Sequence, residues 1–350
     1  MLVGLLSGDR PRSLLLTAIL LIILASLAFA PFLFPGVRSL ETAARICIFI
    51  VLVASYDLLL GYTGIVSFAH TMFFGLGAYG VALASTHMGR GWDALIVGAL
   101  LGALAATVLA LVIGLFSLRV RAIFFAMITL AVASAVAVLV SQLSGLTGGE
   151  DGLNYTIPRE LTPAFRLGEV FGVPFNGKLL NYYLVFFASL ALFLLLVRVV
   201  NSPFGRVLQA IRENDFRAEA IGYRVVLYRT LATCLSAAVA ALAGSLFAIW
   251  LRYVGPDTTL SFEIMLDILL MVVIGGMGTM YGAVIGATIF VLAQNYLHTL
   301  MGAASEATSA LPLVPDLLDP DRWLLWLGVL FVLSVYFFPT GIVGRLRAGR

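Results

Sequence analysis

Long apolar runs joined by short polar segments make up nearly all of this chain. Ten of the runs predict membrane-spanning helices: 14–34, 42–60, 65–86, 94–117, 122–142, 181–199, 226–250, 262–277, 282–300 and 322–338. One stretch breaks the pattern. Residues 201–222 (NSPFGRVLQAIRENDFRAEAIG), between the sixth and seventh runs, carry Arg206, Arg212 and Arg217 together with Glu213, Asp215 and Glu219. Asn201 or Ser202 can cap a helix, and Pro203 suits its first position because the missing N–H would be unpaired there anyway. Phe204, Val207, Leu208 and Ile211 then recur at helical spacing, which predicts a greasy face and a charged one. Asn214 and Asp215 can stop that helix and start a second short one, which Gly222 ends. Such an amphipathic helix, held just outside the bilayer, suits a partner protein; lying on anionic headgroups is the competing reading.

Composition settles the class. Of 350 residues, 61% are hydrophobic and 11% charged, and the mean hydropathy is +1.07. A soluble domain of this size has no interior large enough for that much apolar surface, so the expected fold is an all-α polytopic membrane protein, one domain over 1–350. Cys47 and Cys234 fall inside apolar runs without metal-ligand spacing and read as small buried hydrophobes. The basic start followed by about twenty apolar residues, with no small-residue cleavage pattern, reads as an uncleaved first span.

Charge gives the orientation. With ten spans and both termini cytoplasmic, the inner side holds thirteen arginines: Arg10, Arg12, Arg119, Arg121, Arg198, Arg224, Arg229, Arg345, Arg347, Arg350 and the three of the 201–222 segment. Only Asp9, Glu213, Asp215 and Glu219 oppose them there. The outer segments are acid-rich, with Glu150, Asp151, Asp257, Asp316 and Asp321 among their acids, which fits the positive-inside rule. The longest join, 144–179, is then an outer loop, either a docking surface or a solvated connection.

Several spans carry glycine breaks. Gly61 and Gly64 interrupt the join between spans two and three, with Gly75 just beyond, and Gly275, Gly276 and Gly278 do the same between spans eight and nine. Glycines at 278, 282 and 286 repeat every four residues, and Gly98 and Gly102 offer a weaker copy, a pattern for close helix contact. Broken segments also mark transport paths, so Gly61, Gly64, His70, Phe73, Phe74, Gly75, Asp267, Gly276 and Gly278 are the path candidates. Each has a plain alternative: glycines that permit packing, a hydrogen-bonded core histidine, an aspartate paired with a neighbouring helix. Residues 172–178 (GVPFNGK) match the start of a phosphate-binding loop, but Leu179 stands where the magnesium-holding hydroxyl belongs, Pro174 removes an N–H, and no strand-then-helix context is expected. There is no nucleophile with its base, no metal cluster and no nucleic-acid patch; no catalytic or metal residue is proposed.

Motifs in sequence order add a family. Ser202–Arg206 (SPFGR), Ala210–Asn214 (AIREN) and Ala218–Gly222 (AEAIG) resemble the coupling loop of bacterial ABC importer permeases, more narrowly the LivM-type permease of branched-chain amino acid importers. The likeness continues in Leu60–His70 (LGYTGIVSFAH), Phe73–Tyr79 (FFGLGAY), Leu146–Leu153 (LTGGEDGL), Leu235–Ala248, Leu270–Gly282 (LMVVIGGMGTMYG) and Phe337–Gly344 (FFPTGIVG). The resemblance implies a bacterial inner-membrane, multi-pass subunit. Its partners would be a second permease, two cytoplasmic ATPases and a periplasmic or lipid-anchored solute-binding protein. ATP and Mg²⁺ would sit on the ATPases and no cofactor on this chain. The solute would be a branched-chain amino acid or a related small polar compound such as urea, a short amide or a small organic acid. It also implies that Phe204, Gly205, Val207, Leu208, Ile211, Arg212, Glu213, Glu219, Ala220 and Gly222 couple to the ATPase, the apolar face entering its groove and the charges orienting it. The alternatives are a proton-coupled secondary transporter, in which Asp57, His70 and Asp267 titrate, and a channel-like facilitator.

Overall fold

A computed structural model describes residues 14–33, 36–117, 122–170, 173–307, 319, 322–337 and 340–348. Arg10, Arg12, Arg119, Arg121, Arg350, Asp316, Asp321 and Gly172 lie outside the described residues. The helices are α1 (Leu14–Ala28), α2 (Val37–Thr63), α3 (His70–Met88), α4 (Trp92–Ser117), α5 (Ala122–Gln142), α6 (Gly177–Val200), α7 (Pro203–Glu213), α8 (Asp215–Ala220), α9 (Val225–Leu251), α10 (Phe262–Gly275), α11 (Met280–Ala307), α12 (Trp323–Phe337) and α13 (Gly341–Ala348). Each of the ten apolar runs therefore holds a helix, although 65–69 of the third run are non-helical and its helix starts only at His70; the 201–222 segment is two helices, α7 and α8.

Among the described residues, seven helical stretches are long and apolar enough to cross a membrane; α1 and α12 are apolar but shorter, and α3 is not in that set. Packing explains α3. It lies against α4 and α9, and most of its residues are buried. A helix wrapped in protein does not need lipid-grade hydropathy, so polar His70, Thr71 and Ser85 are tolerated inside it.

Helices α2 and α9 form the centre. Of their most apolar stretches, 83% and 78% are buried, against 17% for α5 at the periphery. Small residues let the helices close up. A Cβ on Gly98 or Gly102 would strike the α3 backbone around Gly77 and Gly80, and one on Gly282 or Gly286 would strike α10. The expected small-residue faces are therefore real helix contacts.

The outer loop holds more order than a plain connection. β1 (Leu153–Asn154) pairs antiparallel with β4 (Tyr253–Val254), tying the segment after α5 to the outer end of α9. β2 (Arg166–Val170) and β3 (Val173–Asn176) pair antiparallel, and β3 runs straight into α6 at Gly177. A strand does precede a helix at the GVPFNGK stretch, contrary to expectation. It makes no phosphate cradle: a Cβ at Gly177 would collide with the carbonyls of Glu160 and Thr162, and Lys178 Nζ sits 5.8 Å from the centre of the Trp250 ring.

Candidate functional site

The segment between α6 and α9 begins with the expected cap. Ser202 takes the N-cap position, its hydroxyl accepting from Gly205 N–H at 3.5 Å, with Pro203 in the first turn of α7. Asn214 ends α7 and caps α8, its side chain accepting from Arg217 N–H at 2.8 Å. Gly222 lies just past α8 with φ 100°.

The apolar face points the other way from expectation. Leu208 and Ile211 are buried, and Gly205 packs so closely on Val200 that a side chain would not fit. Phe204 stacks on Tyr228 of α9 at 5.8 Å between ring centres, and Val207 packs with Ile211, Ala218 and Val225. Asp215 adds an ion pair to Arg229 of α9 at 3.6 Å. The face predicted to enter an ATPase groove is thus already covered by this chain's own helices. Apolar residues with neighbours within reach bury against them first, and sequence periodicity alone does not say which body covers a greasy face.

What faces outward is different. Glu213, Glu219 and Ala220 are exposed, and so are two large apolar residues that periodicity passed over, Phe216 at 82% and Ile221 at 68%. The available signal was their company: Asp215 and Arg217 flank Phe216, and Ile221 follows Glu219 by two residues at the end of α8.

Arg212 joins the segment to the membrane body. Its guanidinium donates to the carbonyl of Gly61 in the last turn of α2. One turn earlier on α2, the Asp57 carboxylate accepts from Gly278 N–H at 2.8 Å, across the break between α10 and α11. Both glycines are needed for the approach. A Cβ at Gly61 would overlap Asp57 and Gly278 N, and one at Gly278 (φ 79°) would overlap the Arg212 guanidinium. The two glycine breaks, far apart in sequence, therefore meet under one arginine. Gly64 (φ 72°) caps α2, donating to Leu59 O, with the Arg212 side chain alongside. Gly276 packs against Thr340 and Gly341, closing the same inner corner.

The other path candidates divide. His70 is fully buried; its Nε2 lies 3.1 Å from Ser55 Oγ of α2 and 3.2 Å from Ser236 Oγ of α9, so it fastens three helices at one point. Phe73 and Phe74 are fully buried core residues in this conformation, and Phe74 packs on Phe247 at 5.4 Å. Gly75 leaves room for Leu260 of the segment before α10. Asp267 is half-buried on α10, accepting from Gln294 of α11 at 3.5 Å. The titrating roles of a proton-coupled transporter are thereby weakened: Asp57 and His70 each hold a structural hydrogen bond between helices. Among the described residues no group of three or more His, Cys, Asp or Glu could hold a metal ion.

Comparison with known proteins agrees with this architecture. The family model described as "Branched-chain amino acid transport system / permease component" matches residues 39–334. The chain is 27% identical over 325 residues to the high-affinity branched-chain amino acid transport system permease protein LivM of Salmonella typhimurium, covering 88% of this chain and 71% of the relative. The LivM of Escherichia coli matches at the same identity and coverage. A probable LivM of Methanocaldococcus jannaschii is 26% identical over 253 residues, 70% of this chain and 68% of the relative. No solved structure matches.

Proposed function

This chain belongs to the family of branched-chain amino acid transport system permease components, and from that membership we propose how it works within an ATP-driven importer. It is a multi-pass membrane transport subunit, not an enzyme. In the proposed assembly it pairs with a second permease in the bacterial inner membrane, two cytoplasmic ATPases bind and hydrolyse ATP with Mg²⁺ beneath, and a solute-binding protein delivers a branched-chain amino acid from outside.

One observation carries the mechanism: α7 and α8 are clamped to α9 and leave Phe216, Glu219 and Ile221 exposed. An exposed pair of large apolar residues ringed by charges has the anatomy of an interface anchor with an orienting rim. When the ATPases close, the clamped unit moves as a rigid body. Arg212 carries that movement to Gly61, and the Asp57–Gly278 hydrogen bond passes it on to the α10–α11 break. The anchor assigned here is the outward face of α8, replacing the apolar face of α7.

The test is purification of the tagged chain from its native membrane, followed by reconstitution. Two ATPases and a second permease are expected in the complex. Glu219→Lys is expected to leave insertion intact and lower ATP-dependent uptake more than about tenfold, because a like or misplaced rim charge costs binding free energy of that order. Recovery of the chain alone, active without ATP, overturns the assignment, and so does normal uptake by the variant.

A further inference from the structure

Two stretches of non-helical backbone enter the helix bundle from opposite sides and meet. The first, 64–69, leaves the inner end of α2 and reaches His70, which packs on Ser55. Ser55 lies eight residues before Thr63, the last residue of α2, so this segment rises roughly 12 Å above the inner end of that helix. The second follows α9, starts at Arg252 in the left-handed region (φ 60°), and dips through a single turn of helix, Pro256–Thr259, to Leu260 and Ser261. Leu260 rests against Gly75, and Phe68 of the first segment lies 6.2 Å from Phe262, ring centre to ring centre. Non-helical backbone at membrane depth persists only where protein covers it or where it lines an aqueous space.

Here it lines a space. A cleft of ≈ 360 Å³ lies between these two segments and α5. Its wall is mixed: hydroxyls from Thr71, Ser134 and Ser261, the carboxylate of Asp257, and apolar surface from Phe68, Leu130, Leu260 and Phe262. Among the described residues, Asp257 is exposed without an ion-pair partner, and none of those lining the cleft is basic. None of the path candidates is among its lining residues; Gly75 touches the wall through Leu260.

We propose that this cleft is a transit subsite for an α-amino acid with an aliphatic side chain, its ammonium against Asp257, its carboxylate among the hydroxyls and its side chain against the apolar wall. The assignment rests on the permease reading above. The charge pattern decides the ligand class: a lone unpaired carboxylate with no base selects a cationic group, and the apolar share of the wall selects an uncharged side chain over a second polar end. The second permease closes the open side of the cleft, along the exposed α5 residues Ser134 and Val138.

The experiment uses the complete complex in proteoliposomes, in a chain carrying Cys47→Ser and Cys234→Ser, with Ser134→Cys or Ser261→Cys added. A small water-soluble methanethiosulfonate is the thiol probe, read by mass on this chain, in nucleotide-free and ATP-trapped states. Modification is expected in at least one state, slowed about fivefold or more by saturating leucine and unaffected by 4-methylpentanoate, which is leucine without its ammonium. Cysteines that stay unmodified in both states, or are modified at a rate leucine does not change, overturn the subsite. Equal protection by 4-methylpentanoate overturns the ammonium assignment. Asp257→Asn is expected to lower maximal leucine uptake about tenfold, with Asp257→Glu retaining most of it, as for loss of one charge-assisted contact; full uptake by Asp257→Asn also overturns the subsite. ATP-independent uptake by the unmodified complex is a separate result, and it overturns the permease reading itself.

Discussion

The two glycine-broken joins look alike in sequence and do opposite things in the fold. The join after α10 is a tight turn, Gly276–Thr279, with Gly276 packed against Thr340 and Gly341 and Gly278 held by Asp57. The join after α2 is a six-residue irregular run, 64–69, that climbs into the bundle and ends beside the α5 cleft. Gly61 and Gly278 remove bulk so that the two joins can touch; Gly64 does something else, turning the chain out of α2 so that Phe68 can line a space. Sequence composition cannot separate these uses, because both require a missing Cβ.

The largest expected effect comes from spoiling the point where the joins meet. Gly61→Val puts a branched side chain where Asp57 and Gly278 N already lie, and rigid backbone cannot yield as a side chain would. Loss of about 3 kcal/mol or more is expected, seen as collapse of the monodisperse peak in detergent-phase size exclusion. A stable, well-behaved Gly61→Val chain would mean that the joins do not touch as described. Arg212→Ala is the next step down. It removes a charged hydrogen-bond donor worth about 1.5–3 kcal/mol from the contact between α7 and α2. The complex should still assemble, since Leu208, Ile211 and Phe204 continue to hold α7. ATP hydrolysis should continue while uptake falls about tenfold or more, and Arg212→Lys should restore part of it. Hydrolysis and uptake falling together would show that Arg212 merely supports the fold.

Asp57→Asn separates two meanings of a buried acid. As the acceptor for Gly278 N–H, it can be replaced by the asparagine carbonyl at a cost of about 1 kcal/mol. Uptake is then expected to persist with a modestly lowered melting temperature. As a proton carrier it could not be replaced, and uptake would stop. Thermal denaturation and proteoliposome uptake on the same preparation distinguish the two.

Much of this was legible from the chain. Ten helices, the caps at Ser202 and Asn214, and the close contacts at Gly98, Gly102, Gly282 and Gly286 all follow from local rules that act within a few residues. What sequence missed depends on long-range packing. Periodicity found a greasy face on α7, but whether it meets a partner or this chain's own Tyr228 and Val225 is decided by how α9 returns beside it. Phe216 and Ile221 were overlooked because exposed apolar residues carry no periodic mark. Phe73, Phe74 and His70 read as path residues from their neighbours in sequence, yet all three are fully buried, with Phe74 on Phe247 of α9 and His70 beside Ser55 of α2 and Ser236 of α9, while Thr71 lines the cleft.

The smallest expected effect sharpens the comparison most, because it falls on the join that lines space. Among the described residues, the one aromatic ring Phe68 meets is Phe262, at 6.2 Å and tilted, and Phe68 is half-buried at the cleft wall. An aromatic pair of this kind contributes about 0.5–1.5 kcal/mol, and leucine at 68 keeps much of the apolar contact. Phe68→Leu should therefore shift melting by little and change uptake a few-fold, through the width of the cleft rather than through the fold. The backbone there is held separately, by Phe68 N–H donating to Thr129 Oγ1 on α5 at 3.1 Å. Thr129→Val removes that anchor without touching the ring, so the two variants act on different things. If Phe68→Leu destabilises the chain as strongly as Gly61→Val, the longer join is packed core like the tight one. If it changes uptake while leaving melting in place, the two joins serve the separate purposes that their geometry assigns.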